Sequence, residues 1–530
     1  MVVASSTPWS ASCGTGSWTA PHRSPPPRRT PTSLHCESPP PADPTRCLSP
    51  MSDKGVAPMP TSLDDVSTAP ETAEEMSPEQ RTMARRSALS GFLGSTIEYF
   101  DFVAFATASA LVFNHLFFES MGPRGATIAS FATFGVAYIA RPLGAVLFGT
   151  LGDRVGRSRT LVYTLLLMGA ATFAIGLLPT PATIGIAAPI LLVALRLAQG
   201  LSAGGEQAGA NALTAEHAPK DKRGLYTGWT MVGVGFGTML GSAVFIPITA
   251  MGQDFLLDFG WRIPFLLAGP LALVTLYVRT QVKETESFKT TVLEEHGADV
   301  AASLTAEPGP ATVPLWEIAR DHWRNLLRVI VCSLFALTGT MANVFAISYG
   351  TEHQGLDPSI LLTITSVVGI VTLPVAPLMA RLSDGIGRRP VFIGSVLLIA
   401  VGFFGVFGAM STGSYLLIAV AMFATMLVAV AGNTVQAPLY TEMFPTRVRY
   451  TGYAVGTQVG LIVVGFSPTI AAALVLPGVN GWVPVAIFIA VCMVAAAVSA
   501  FTAKETRGLS IEEIDGAFIP SEEEAQSSGR

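Results

Sequence analysis

From Ala88 onward the chain is written in apolar runs of roughly the length that one helix needs to cross the hydrocarbon layer of a bilayer, about twenty residues. They fall at 88–113, 125–149, 160–179, 184–209, 225–249 and 262–280, and again at 326–349, 359–380, 390–410, 414–438, 451–475 and 481–502. Only 13% of the 530 residues are charged, against about a quarter in soluble domains. In lipid a backbone has to satisfy its polar groups within its own segment, so runs of this kind are predicted helices. Gly and Pro recur inside them, which a bundle tolerates where neighbouring helices re-satisfy the backbone. The expectation is an all-α integral membrane protein of about twelve helices in two groups of six.

A short charged turn separates the second run from the third: Gly152-Asp153-Arg154-Val155-Gly156-Arg157-Ser158-Arg159. Its spacing, D-x-x-G-R, returns between the eighth and ninth runs in Ser383-Asp384-Gly385-Ile386-Gly387-Arg388-Arg389-Pro390. One basic hairpin is ordinary in a membrane protein. The same hairpin at the matching place in a second group of six points to internal duplication.

Basic residues orient the bundle, because Lys and Arg are retained on the cytoplasmic side. Arg81, Arg85 and Arg86 precede the first run; Arg154, Arg157 and Arg159 follow the second; Lys220, Lys222 and Arg223 follow the fourth. Arg381, Arg388 and Arg389 follow the eighth run, and Arg447 and Arg449 the tenth, whereas the alternate loops offer mainly Arg124 and Arg262. Both termini are therefore expected in the cytoplasm, with the chain multi-pass in the plasma membrane, which is the inner membrane in a bacterium.

Outside the runs the composition changes. Residues 1–85 are rich in Pro, Ser, Thr and charge without apolar periodicity, so they are expected to be a disordered cytoplasmic segment. The proline-rich stretch 21–50 differs from the acidic one that begins at Met51, and an overextended start, with Met51 as the true beginning, is one explanation. No apolar region in the first thirty residues suggests a signal peptide. The remaining divisions are a first bundle at 86–280, a cytoplasmic linker at 281–325, a second bundle at 326–503 and a tail at 504–530. Within the linker, Leu315 to Arg324 mixes aromatic and charged residues as a helix lying at the membrane surface would. Cys332 and Cys492 stand singly in apolar runs and are expected to be small buried side chains. No disulfide framework, metal spacing or nucleophile constellation is visible, so neither an enzyme nor a cofactor is expected.

An ionisable side chain deep in a membrane helix costs several kcal/mol unless it is paired or hydrated, and marks a functional site by default. The first run holds Glu98 and Asp101, whose i, i+3 spacing puts both carboxyls on one helix face. Two nearby acids repel, which favours keeping a proton on one of them, so the pair is a candidate for proton coupling. Arg141 in the second run and Arg196 in the fourth are the candidate counter-charges. Each could pair with Glu98 or Asp101, hold a substrate carboxylate, or alternate between them; a purely structural ion pair is the competing reading. Gln199 and Glu206, in the glycine-rich stretch after Arg196, add further polar groups to a candidate substrate site. The second group is poorer in buried charge and offers Asn343, Asn433, Gln436 and Gln458, with Tyr349 and Tyr440 near helix ends.

GTLGDRVGRSR and its echo resemble the loop signature of the major facilitator superfamily. Glu98-Tyr99-Phe100-Asp101-Phe102, Ala140-Arg141-Pro142-Leu143-Gly144, Arg196-x-x-Gln199-Gly200 with Gly204-Gly205-Glu206, and Trp261-Arg262-Ile263-Pro264-Phe265 resemble its metabolite:proton symporter branch. Glu284-Thr285 and Glu442-Met443-Phe444-Pro445-Thr446-Arg447-Val448-Arg449 fit the same pattern, so the resemblance spans about 88–510. It implies the major facilitator fold and proton-driven uptake of a small polar metabolite by alternating access. It also implies that the loop signature governs switching, here through Gly149, Asp153, Arg154, Gly156 and Arg157, with Asp384, Gly387 and Arg388 in the echo. Two positions depart from the pattern. The first helix reads DFVAF, Asp101 to Phe105, where many relatives carry a tyrosine after the DF pair, and Gly385 stands where the first loop has Arg154.

The leading reading is a proton symporter of a small organic acid, acting as a monomer among membrane lipids, with solute and protons as its partners and no nucleic acid. A symporter of zwitterionic solutes such as proline or betaine is the alternative. Efflux by antiport ranks lower, because the fifth run has glycines at 233, 235, 237 and 241 but lacks the Gly-Pro pair typical of the superfamily's antiporters. The tail carries no long heptad repeat, against an osmosensor, and no appended signalling domain suggests a receptor.

Overall fold

The computed structural model describes residues 77–155, 157–218, 223–282, 315–505 and 513. The expectations for residues 1–76, most of the linker and most of the tail lie outside them.

Among the described residues the chain forms twelve long helices, some of them broken. The first six are α1 (Pro78–Leu111), α2 (Gly122–Val155), α3 (Arg157–Leu177), α4 (Ala187–His217), α5 (Arg223–Ala243, continued by Phe245–Ala250) and α6 (Arg262–Thr280). The second six are α7 (Trp323–Cys332 through Ala346–Glu352), α8 (Pro358–Thr372 and Ala376–Ile386), α9 (Arg388–Ser411), α10 (Tyr415–Thr441), α11 (Thr446–Leu474) and α12 (Val483–Thr502). Ten helices among the described residues are long and apolar enough to cross a membrane by themselves, or eleven if the two parts of α8, bent by 50°, count as one. The remaining one is α1, which has ample length at 34 residues but is diluted by Arg81, Arg85, Arg86, Glu98 and Asp101.

The first helix starts earlier than its apolar run. Ser77 Oγ accepts from the Gln80 amide at 3.2 Å and Gln80 Oε1 accepts from the Ser77 amide at 2.8 Å. This reciprocal cap, with Pro78 at the first helical position, satisfies amides that a helix start otherwise leaves open. Helix therefore begins inside the segment expected to be disordered, because capping chemistry and not apolar periodicity sets its start. In the linker, Leu315–Asp321 is helical, with Ile318 buried and Arg320 exposed. The seventh helix is irregular, with a tight turn at Ser333–Ala336 and a wide one at Met341–Phe345. The eighth breaks at Leu373–Val375, where Pro374 lacks the amide that a continuous helix would use.

Two glycine stripes set the closest approaches in the first half. A Cβ on Gly200 or Gly204 of α4 would collide with the carbonyls of Ala137 or Arg141 of α2. One on Gly233 or Gly237 of α5 would collide with those of Phe92 or Thr96 of α1. Backbone against backbone is the packing small residues permit between membrane helices. The WRIPF motif closes the end of this half away from the basic loops, called the far end below. Trp261 is buried against Phe113, Phe117 and Phe265 at centroid distances of 5.7, 5.8 and 6.2 Å. Arg262 Nη1 donates to the Gly176 and Leu178 carbonyls at 2.9 and 2.7 Å, satisfying acceptors left open where α3 ends. Cys332 and Cys492 are both buried free thiols.

Candidate functional site

On α1, Glu98, Asp101, Phe102 and Phe105 follow the i, i+3, i+4, i+7 pattern and so share one face. That face meets α2, which brings Phe134, Tyr138 and Arg141; α3, which brings Thr172; and α4, which brings Arg196 and Gln199. The close α2–α4 packing at Gly200 and Gly204 fixes the helices that carry the two arginines.

Two buried ion pairs result. Arg141 Nη2 lies 3.1 Å from Glu98 Oε1. Arg196 Nη1 lies 3.8 Å from Asp101 Oδ2, close enough for charge attraction but beyond hydrogen-bond reach. Gln199 joins the second pair from the side: its Oε1 accepts from Arg196 Nη1 at 3.0 Å and its Nε2 donates to Asp101 Oδ1 at 2.6 Å. Thr172 Oγ1 adds a bond to Asp101 Oδ1 at 2.7 Å. Asp101 and Arg196 are 0% exposed and Glu98 1%. Aromatic rings complete the enclosure: Arg141 Cζ lies 4.1 Å from the Phe102 centroid, and Arg196 Cζ lies 4.5, 4.1 and 5.3 Å from those of Phe102, Phe105 and Phe134.

The pairs are incompletely satisfied. Glu98 Oε2, Asp101 Oδ2, Arg141 Nε, and Arg196 Nε and Nη2 are buried without a hydrogen-bond partner. A buried ionic group is held cheaply only when its remaining donors and acceptors are matched. This constellation instead keeps unused donors and acceptors side by side.

Glu206 lies elsewhere. It pairs with Arg279 of α6, whose Nη2 reaches Glu206 Oε1 and whose Nη1 donates to Glu206 Oε2 at 3.0 Å. Thr164 Oγ1 donates to Glu206 Oε2 at 2.7 Å, and Arg279 Nη1 also reaches the Leu161 carbonyl at 2.5 Å. Gly94 of α1 packs directly on this pair, leaving no room for a Cβ. Sequence reasoning did not single out Arg279, because an arginine in the last turn of a helix reads as an ordinary interfacial anchor; in the fold it turns inward and is 2% exposed.

At the far end a cavity of about 1320 Å³ opens between the halves, lined by Asn114, His115, Arg124, Thr127, Tyr349 and Glu352 among others. Glu352, the last residue of α7, was also not anticipated. Its two oxygens accept from Asn114 Nδ2 at 2.5 Å and Thr127 Oγ1 at 3.2 Å, both in the first half. Arg124 Nη2 donates to the Ala473 carbonyl at 2.5 Å, and Thr249 Oγ1 lies 3.0 Å from Ser359 Oγ. Among the described residues, these four hydrogen bonds join the halves at this end.

Of the loop-signature residues, Gly156 and the side chains of Asp153, Arg154, Arg157 and Asp384 lie outside those described. Gly149 has open space where a Cβ would sit. Gly387 takes a φ of 114° that favours glycine. Arg388 Nε lies 3.2 Å from Glu442 Oε1, while the Glu505 carboxylate accepts from the Arg388 and Arg389 amides at 3.3 and 3.1 Å. In the second half, Asn343 Nδ2 donates to its own helix at Gly339, and Tyr349 Oη accepts from Gln354. Among the described residues no group of His, Cys, Asp or Glu has the arrangement of a metal site.

Known proteins resemble the chain over most of its length. Residues 88–518 match the family model described as "Sugar (and other) transporter". The shikimate transporter of Escherichia coli (strain K12) is 38% identical over 430 residues, covering 80% of this chain and 95% of that protein. A proline/betaine transporter of Salmonella typhimurium is 36% identical over 428 residues, covering 80% and 84%. Among solved structures, the crystal structure of a D-xylose-proton symporter superposes with a TM-score of 0.64 at 20% identity, covering 80% of this chain and 99% of the other. The xylose transporter XylE from E. coli in its inward open conformation gives a TM-score of 0.65 at 19% identity, covering 82% and 99%. With its twelve helices in two halves of six, the chain is a multi-pass membrane transporter that belongs to the sugar (and other) transporter family of the major facilitator superfamily.

Proposed function

We propose that the chain imports a small organic acid together with protons, and that Glu98, Asp101, Arg141, Arg196 and Gln199 carry the exchange. The observation that carries this reading is the state of Arg196. It is 0% exposed, yet its Nε and Nη2 have no hydrogen-bond partner and its contact with Asp101 is 3.8 Å long. A guanidinium presents donors in a fork that fits a carboxylate, so a carboxylate substrate answers the donors the protein leaves open.

The chemistry then follows from charge. A proton on Asp101 or Glu98 removes the acid's hold on its arginine, and in a low-dielectric interior that arginine gains most from a new anion. The substrate carboxylate takes the place the protein carboxylate gave up, so proton and anion travel together. Departure of the proton restores the acid, which reclaims the arginine and expels the substrate. Gln199 bridges Asp101 and Arg196 and keeps them aligned. Glu206, placed with the substrate residues from sequence, is better assigned to a clamp with Arg279 that binds α4 to α6.

The basic loops support an orientation with both termini in the cytoplasm and the far end outside, in the plasma membrane or its bacterial counterpart. The four far-end bonds then tie the two halves together at the outer face, around the far-end cavity. The two D-x-x-G-R loops, with Gly149, Asp153, Arg154, Gly156, Arg157, Asp384, Gly387 and Arg388, are assigned to switching at the cytoplasmic face. A single chain contains the whole site, which supports a monomer; nothing in it calls for a nucleic-acid partner, and lipid is its surroundings. The 36% identity to a proline/betaine transporter supports the second reading, a zwitterion whose carboxylate uses the same arginines.

Uptake of labelled shikimate and of glycine betaine into proteoliposomes, with and without an imposed proton gradient, tests the proposal. Gradient-driven accumulation of shikimate supports it. Accumulation of betaine alone favours the second reading, and equal uptake of either solute with and without the gradient refutes symport.

A further inference from the structure

Phe102 lies under both ion pairs. It is four residues from Glu98 and adjacent to Asp101 on α1, and both arginines rest on its ring, Arg141 at 4.1 Å and Arg196 at 4.5 Å from the centroid. The ring is 5% exposed and its edge is set by Tyr138, whose centroid is 5.7 Å away at an interplanar angle of 71°. An aromatic face attracts a cation through its quadrupole, and the attraction grows when water is excluded. Two like charges on neighbouring helices would ordinarily repel, and here both lie against one electron-rich ring.

We propose that Phe102 is the seat that couples the two pairs, holding a guanidinium in place while that guanidinium's own carboxylate carries a proton. The inference rests on the symport reading. A protonated Glu98 or Asp101 leaves Arg141 or Arg196 without its counter-charge, in surroundings where a stranded cation is costly. The ring supplies partial compensation without competing for the N–H donors, so the arginine stays poised for the substrate carboxylate instead of withdrawing. Because one ring serves both arginines, drawing one toward substrate changes the balance felt by the other. The groups facing this seat are Glu98, Asp101 and Phe105 of α1, Phe134, Tyr138 and Arg141 of α2, Thr172 of α3, and Arg196 and Gln199 of α4. Phe102 is thereby a positioning residue that acts through the two arginines.

A series that alters the ring's charge distribution while nearly preserving its shape separates this role from packing. Phe102 is replaced in the full chain by mono-, di- and trifluorophenylalanine, and separately by Phe102→Leu and Phe102→Trp. KM is measured in proteoliposomes for whichever of shikimate and glycine betaine the native chain accumulates with a proton gradient. KM should climb stepwise with fluorination, reaching about tenfold with the trifluoro ring and with Phe102→Leu, while Phe102→Trp, which restores a π face, loses less than Phe102→Leu. A flat KM across the fluorinated series, or Phe102→Leu performing as well as Phe102→Trp, overturns the proposal. If the native chain takes up a probe equally with and without the gradient, the symport reading fails and the seat falls with it, whereas a flat series in a chain that does accumulate the probe overturns the seat alone.

Discussion

Glu352 Oε1 accepts a 2.5 Å hydrogen bond from Asn114 Nδ2, so a carboxylate ending α7 in one half is held by an amide beyond α1 in the other. Its second oxygen is held by Thr127, also across the divide. An intramolecular hydrogen bond contributes about 0.5–1.5 kcal/mol, so the two together are enough to bias an equilibrium between two conformations that differ by a few kcal/mol. Glu352→Ala should therefore open the far end. Ser348 lines the cavity and is 2% exposed; a cysteine placed there by Ser348→Cys should react about tenfold faster with a membrane-impermeant maleimide when Glu352 is alanine. Equal labelling rates in the two backgrounds would show that Glu352 does not hold this end shut.

The Glu206–Arg279 clamp makes a prediction about stability. Removing one member of a buried ion pair strands the other, at a cost of about 3–5 kcal/mol. Arg279→Ala and Glu206→Ala should each lower the thermal unfolding midpoint of the detergent-solubilised protein, whereas the paired replacement Glu206→Leu with Arg279→Met should recover part of the loss. A double variant less stable than both single ones contradicts the clamp assignment.

Substitution at Gly204 tests how strictly the arginines are placed. A Cβ there would collide with the Arg141 carbonyl, and overpacking typically costs about 1–3 kcal/mol. Gly204→Ala should push α2 away and carry Arg141 with it, reducing uptake well beyond any fall in the amount of folded protein. Gly149→Ala, where a Cβ meets open space, should leave folding unchanged in the same thermal assay.

Coupling is tested by Glu98→Gln, which keeps the shape of the side chain but removes its titration. The variant should still exchange internal for external solute but lose accumulation driven by a proton gradient. Undiminished gradient-driven accumulation would assign the proton elsewhere.

Much of the fold was legible because lipid leaves a chain few options. Runs of spanning length announce helices, and the repeated D-x-x-G-R turn announces duplication. Helix starts were less legible: Pro78 is set by the Ser77–Gln80 cap, which no apolar pattern records. In the candidate site, Glu98, Asp101, Arg141 and Arg196 stood out because ionised groups are rare in such runs, and the structure brings each acid to one arginine. Arg279 and Glu352 did not stand out, since charge at a helix end is ordinary and only the tertiary fold shows which way it turns. Phe102 did not stand out either, because an aromatic residue in an apolar run carries no mark of two cations resting on its ring.

The three buried ion pairs have an electrical consequence. Glu98–Arg141, Asp101–Arg196 and Glu206–Arg279 set three acids against three bases, all within the first six helices. A membrane potential does work of about 2.3 kcal/mol per 100 mV on each net charge that crosses it. With each pair ionised the empty carrier presents no net buried charge in these pairs, so they leave its return step indifferent to voltage. Any current the transporter passes then measures the protons carried in excess of the solute's own negative charge, and the ratio of that current to the solute flux counts their stoichiometry.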